Sequence, residues 1–303
     1  MTRVLVTGAS GFIGRNAVAP LVERGFEVHG VGRRRSADLP GEVVWHEADL
    51  LTAEDRAAVV GKVQASHLLH LAWYSEPGRF WAAPENLGWV GATVELLQAF
   101  AAAGGRRAVL AGTCAEYDWE VAGRCVENET PLRPVTLYGI CKDATRRVCE
   151  GLADGPELDV AWGRIFFLYG PGEHPDRLVA SVARALVRGD RAPTSEGRQI
   201  RDFMHVADVA AAFAAITASD VTGSVNVGSG TGVAVRDLAR AIATAAGGED
   251  RLDLGAMPPR PGEPAELVAD VNRLRDEVGY LPAITLSAGV ADTVGWWRTQ
   301  EGV

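Results

Sequence analysis

Apolar residues gather in short runs near positions 3–7, 26–31, 43–46, 66–71 and 107–111, each of strand length. Between most of them, over 12–23, 53–62 and 85–103, apolar positions recur at helical spacing. That alternation predicts βαβ units and therefore a parallel sheet covered by helices. A helix over about 136–152, a strand over about 158–166 and a helix over about 178–188 continue the pattern before it shortens into brief strands and Gly/Pro turns. Breaks at Pro171-Gly172 and across Met257 to Gly262 divide the chain in two. The first unit takes residues 1–171 plus about 201–229, and a smaller C-terminal α/β region takes 172–200 and 230–303. No flexible tether separates them, so close packing is expected.

The first strand runs into Thr7-Gly8-Ala9-Ser10-Gly11-Phe12-Ile13-Gly14, and a helix follows. Strand, glycine loop and helix together form a pyrophosphate cradle: glycines admit a close backbone, and the helix N-terminus meets the negative charge. Gly8, Ser10, Gly11, Phe12, Ile13 and Gly14 are thus candidate cofactor contacts in a doubly wound, Rossmann-like parallel sheet. The second strand ends in Gly32-Arg33-Arg34-Arg35-Ser36 with no acid for a ribose 2'-hydroxyl. Guanidiniums there suit a 2'-phosphate, so NADP(H) is favoured, with NAD(H) as the alternative.

Composition narrows the classes. The 303 residues are 47% hydrophobic and 23% charged, enough for a sizeable core, and no apolar run approaches the roughly 18 residues of a membrane span. A net charge of -9 repels a phosphate backbone, so neither nucleic acid nor membrane is an expected partner. Cys114, Cys125, Cys141 and Cys149 lack metal spacing, and no metal is expected. The first seven residues read as a strand rather than a leader, which makes the cytoplasm the expected compartment.

Of 30 basic residues only Lys62 and Lys142 are lysine. Lys142 lies four residues after Tyr138, on the same face of the predicted helix, where its charge is expected to lower the phenol's pKa. With so few lysines, a Y-x-x-x-K arises by chance about 3% of the time. Such a tyrosine can serve as a proton donor. Thr113, at the C-terminal end of the strand after 107, could hydrogen-bond the same reacting oxygen.

Together these residues resemble the extended short-chain dehydrogenase/reductases, specifically the nucleotide-sugar epimerase/dehydratase/reductase group. The resemblance spans essentially the whole chain. It includes Asp49-Leu50, His70-Leu71-Ala72, Asn86, Arg164, Tyr169-Gly170-Pro171-Gly172, Arg201 to Asp208, Asn226-Val227-Gly228 and Arg260 to Pro264. It implies that Thr113, Tyr138 and Lys142 are catalytic, and that Asp49, Leu50, Leu71, Ala72 and Asn86 join the cofactor site. It also assigns Arg201 and Arg260 to the substrate diphosphate, with Trp73 and Cys114 beside the sugar. Two departures matter. The Asp-Glu pair with which dehydratases follow the catalytic threonine is Cys114-Ala115, and Phe167 replaces a usual asparagine. His205 is read as structural.

The resemblance, the arginine run and the missing Asp-Glu pair point to NADPH-dependent reduction of a nucleotide-linked 4-keto-6-deoxyhexose. The alternatives are a 4-epimerase that keeps NAD bound and a non-catalytic NADP(H) sensor, against which both Tyr138 and Lys142 stand. The family also implies a homodimer through the helices around 85–103 and 136–152.

Overall fold

A computed structural model describes residues 2–121, 123–153, 158–259 and 262–303. In chain order its strands are β1 (Thr2–Thr7), β2 (Phe26–Gly32), β3 (Val44–Glu47), β4 (His67–His70), β5 (Arg107–Thr113), β6 (Arg124–Cys125), β7 (Asp159–Ile165) and β8 (Phe167–Tyr169). Then come β9 (Ala192–Thr194), β10 (Ile200–His205), β11 (Gly223–Val227), β12 (Gly232–Ala234), β13 (Leu252–Leu254) and β14 (Glu266–Ala269). The helices are α1 (Phe12–Glu23), α2 (Ala53–Val63), α3 (Glu85–Ala102), α4 (Leu137–Leu152), α5 (Leu178–Val187), α6 (Val206–Ala218), α7 (Val235–Ala246) and α8 (Leu286–Glu301).

Seven parallel strands form the main sheet in the order β11-β7-β5-β4-β1-β2-β3. Strands buried on both faces read as continuous apolar runs, which is why β1, β4 and β5 are legible in the sequence. Alternate residues feed two cores. Val4 and Val6 point to the layer of α1 and α6, whereas Leu5 points to that of α2, α3 and α4. Chain order reverses between β1 and β4, and the crevice above that switch point is where an open α/β sheet takes its ligand.

The smaller sheet runs β12-β10-β14-β6, with β8 also paired to β10, and a third core gathers α5, α7 and α8 beside it. β10, which the sequence pattern groups with the first unit, pairs only in this sheet, while α6 and β11 after it return to the main one. The two sheets therefore interlock: α6 leaves β10 and packs on α1. Among the described residues no helix is long and apolar enough to cross a membrane.

Candidate functional site

The glycine loop forms a cradle that side chains would fill. Gly8 has φ +67°, and a Cβ there would stand 2.9 Å from the Ala72 nitrogen. At Gly14 a Cβ would stand 2.7 Å from the Ala9 Cα. Gly11 caps α1 without a side chain, and the first turn holds no acid, which leaves the positive helix end open to an anion. Ser10, Phe12 and Ile13 lie on this same turn. A dinucleotide pyrophosphate fits these features.

Thr7 ties the two strands of the switch point together. Its Oγ1 accepts from the Leu71 and Ala72 nitrogens, both at 3.1 Å, so its own proton goes to His70 Nδ1 at 2.8 Å. The His70 proton must then sit on Nε2, donated to Thr93 Oγ1 at 2.9 Å. Burial, reinforced by Lys142, lowers the His70 pKa to about 3, so the ring is neutral and acts as a strut. Arg15, one turn into α1, donates to the Gly172 carbonyl at 2.8 Å and docks the Tyr169–Gly172 turn on the loop.

At the end of β2, Arg33 and Arg34 are exposed and make no ion pair with another described residue. Trp45 covers Gly32, where a Cβ would come within 3.1 Å of the indole. The sequence shows no acid at this end, but sheet register sets exposed Glu47 of β3 beside Gly32. Asp49 accepts from the Leu51 nitrogen at 3.0 Å and is half-buried, while Leu50 lies in the core.

Thr113 closes β5 and begins a turn of 3-10 helix over Cys114–Glu116. Its hydroxyl accepts from the Ala115 nitrogen at 3.2 Å and lies near enough to the Tyr138 phenol to favour its ionised form. Gly139 makes that approach feasible: a Cβ there would stand 2.5 Å from the Ala115 carbonyl, so only glycine lets α4 press on the turn. Thr136 caps α4 by accepting from the Gly139 nitrogen at 3.1 Å. One helical turn on, Lys142 is buried and donates to the Ala111 carbonyl at 2.8 Å.

The expected depression of the phenol is absent. Burial against Phe80 and Trp81, whose rings meet Tyr138 edge-on at 4.9 and 5.9 Å, pushes its pKa up, with the nearby Thr113 hydroxyl opposing. Lys142 Nζ lies 6.0 Å from the Tyr138 ring centroid, and burial lowers its own pKa to about 7 against the pull of Glu116. The arrangement offers a proton donor, a hydroxyl partner and a cation around one point.

Beneath it runs a polar network that sequence reasoning only half found. Glu116 accepts from the Thr113 nitrogen at 2.8 Å, Trp162 Nε1 at 2.9 Å and Arg164 Nε at 2.8 Å. Tyr117 donates to Asn226 at 2.7 Å, and Arg164 also reaches the Glu127 carbonyl at 3.2 Å. Arg164 and Asn226 belong to the quoted motifs, but Glu116 was missed, although Thr113-x-x-Glu116 has the capping-box spacing that the structure realises.

Asn86 is fully buried, and its amide is spent within the protein. It donates to the Phe80 and Ala83 carbonyls, both at 2.8 Å, and accepts from Trp73 Nε1 at 2.8 Å. Asn86 thus fixes Trp73 and the loop before α3. Arg177, also missed, lies 5.1 Å over the Phe80 ring and bears electrostatically on Tyr138.

Arg201 is buried under Phe167, 5.5 Å from the ring, with Glu263 at 3.5 Å. The cation nonetheless acts on Cys114, whose thiol burial pushes far up. Arg260 lies outside the described residues. His205 caps α6 by accepting from the Ala207 nitrogen at 3.3 Å and faces Asp292 at 3.3 Å. Among the described residues no group of three His, Cys, Asp or Glu is placed to hold a metal.

Comparison with known proteins shows the fold and the family. A UDP-glucose 4-epimerase of Streptomyces lividans is 30% identical over 320 residues, covering 97% of this chain and 95% of that protein. A dTDP-glucose 4,6-dehydratase of Streptomyces griseus is 28% identical, covering 98% and 94%. The solved UDP-glucose 4-epimerase of Thermus thermophilus, a complex with NAD, superposes with a TM-score of 0.84 at 28% identity, covering 98% and 99%. That of Thermotoga maritima, with UDP-glucose, reaches 0.90 at 22% identity, covering 99% and 100%, and shares the fold. The model of the NAD dependent epimerase/dehydratase family matches residues 4–228, and the chain belongs to that family of nucleotide-sugar enzymes.

Proposed function

We propose that the protein is an NADPH-dependent reductase of a nucleotide-linked 4-keto-6-deoxyhexose. The observation that carries this reading is the turn after β5. Thr113 and Tyr138 stand together at the mouth of the dinucleotide crevice, yet the next two residues supply neither acid nor base. Cys114 is a buried thiol with a raised pKa, Ala115 has no functional group, and Glu116 is locked to Arg164. Water elimination lacks its proton donor and acceptor; carbonyl reduction needs only one donor.

The cradle at Gly8–Gly14 would hold the pyrophosphate, with Arg33 and Arg34 beside the adenosine ribose, and the bound cofactor would supply hydride to the keto carbon. Tyr138 gives its proton to the carbonyl oxygen as that charge develops, and Thr113 hydrogen-bonds the same oxygen. Lys142, charged, stabilises the phenolate left behind and binds the nicotinamide ribose. Arg201, screened by Phe167, is the diphosphate contact, and Trp73 and Cys114 border the sugar.

If Arg33 and Arg34 hold a 2'-phosphate, replacing both with alanine should weaken NADPH binding by about 1.5–3 kcal/mol per lost charged contact and leave NADH little changed. Fluorescence titration with both cofactors measures this. Equal losses would remove the NADPH preference.

A 4-epimerase that keeps NAD bound is the second reading. It is favoured by the epimerases among the relatives and by Glu47, an acid beside the end of β2. The purified protein separates the two: an epimerase should retain NAD through gel filtration, whereas a reductase should arrive empty and consume NADPH one for one.

A further inference from the structure

Lys142 is buried deeply enough to threaten its charge, and its surroundings hold little to compensate. The facing groups are neutral His70 from β4, Glu116 from the 3-10 turn, and Tyr138 and Cys149 from its own helix. Glu116 is already engaged by Arg164. The Ala111 carbonyl takes one ammonium proton at 2.8 Å. The remaining close neighbour is aromatic: Nζ lies 3.8 Å from the centroid of the Trp73 ring, against 6.0 Å from those of Tyr138 and Trp162.

That indole is itself held. Its Nε1 donates to Asn86 Oδ1 at 2.8 Å, and Trp89 stacks on it at 6.2 Å. A tryptophan face is the best neutral surface for a desolvated ammonium, because the ring quadrupole is negative there. We propose that Trp73 is a positioning residue for Lys142, its indole face keeping the buried ammonium charged and directed between the Ala111 carbonyl and Tyr138. What this does for turnover rests on the proposed reductase reading; the effect on the ammonium does not. Asn86 gains its role through Trp73, orienting the ring that holds the cation.

The scarcity of lysine makes this directly measurable. Protein labelled with 13C at lysine Cε should give two ε-methylene signals, assigned by Lys62→Arg, with exposed Lys62 as an internal reference. In the unsubstituted protein the Lys142 signal should be shifted upfield by the indole ring current, while Lys62 should not. Trp73→Leu keeps an apolar cover but removes the π-face, so the Lys142 titration midpoint should fall by about one pH unit, a tenfold loss of proton affinity. Trp73→Phe should restore most of it, and the alkaline limb of any pH–rate profile should move with the midpoint. An unshifted Lys142 signal, or a Trp73→Leu midpoint equal to or above that of the unsubstituted protein, would overturn the proposal. The titration needs no substrate. A protein inactive on every keto sugar would sink the reductase reading alone, and an unmoved midpoint in an active enzyme would sink this inference alone.

Discussion

Tyr138→Phe should lower turnover by about 10²–10⁴, the usual contribution of a positioned general acid, while leaving fold and cofactor affinity intact. The substitution removes one oxygen. The ring keeps its edge contacts with Phe80 and Trp81, and the helix keeps its Thr136 cap. Burial raises the phenol's pKa, so under the proposed mechanism Tyr138 holds its proton until the growing oxyanion draws it off. Lys142→Met should therefore cost at least as much turnover and, if Lys142 holds the nicotinamide ribose as proposed, should also raise the NADPH dissociation constant. Thr113→Val should act on turnover alone. Steady-state kinetics with cofactor titrations checks all three, and a folded Tyr138→Phe variant with full turnover would show that another group delivers the proton.

The second large effect is on stability. Glu116 and Arg164 are respectively 0% and 1% exposed in their side chains, and among the described residues each makes its one ion pair with the other. Removing one charge strands the other in the interior, so Glu116→Gln or Arg164→Met should each destabilise the fold by roughly 3–5 kcal/mol. The double variant buries no charge and should recover part of that loss. Urea denaturation of the three proteins tests the coupling. Single variants as stable as the parent, or a double variant no better than the worse single, would contradict it. Because Glu116 also accepts from the Thr113 nitrogen, surviving Glu116→Gln protein should turn over more slowly as well.

Much of this was readable from sequence because it is local. The glycine loop is one strand, one turn and one helix, and the Tyr138–Lys142 spacing needs only helical geometry to bring both to one face. What escaped is non-local. Glu116 meets Trp162 and Arg164 from a different strand, and Trp73 meets Lys142 across the crevice. Nothing in their spacing announces either pairing. β10 falls in the stretch that the sequence groups with the first unit, but its membership of the smaller sheet is decided by β8, β12 and β14, which lie on either side of it in sequence. The sign of the Tyr138 shift was misjudged because spacing records the neighbouring charge but not the aromatic burial that outweighs it. Glu47 became visible only through the register of β2 with β3.

The central claim is that hydride passes from NADPH to the C4 carbonyl of a nucleotide-linked sugar, with Tyr138 supplying the proton. Incubating the protein with NADPH deuterated at the transferable position and a nucleotide-linked 4-keto-6-deoxyhexose, followed by mass and NMR analysis of the sugar, tests it most directly. One deuterium at C4 per NADPH consumed, in a reaction that Tyr138→Phe all but abolishes, is the predicted result. A sugar free of deuterium, together with interconversion of UDP-glucose and its C4 epimer without added cofactor, would contradict it.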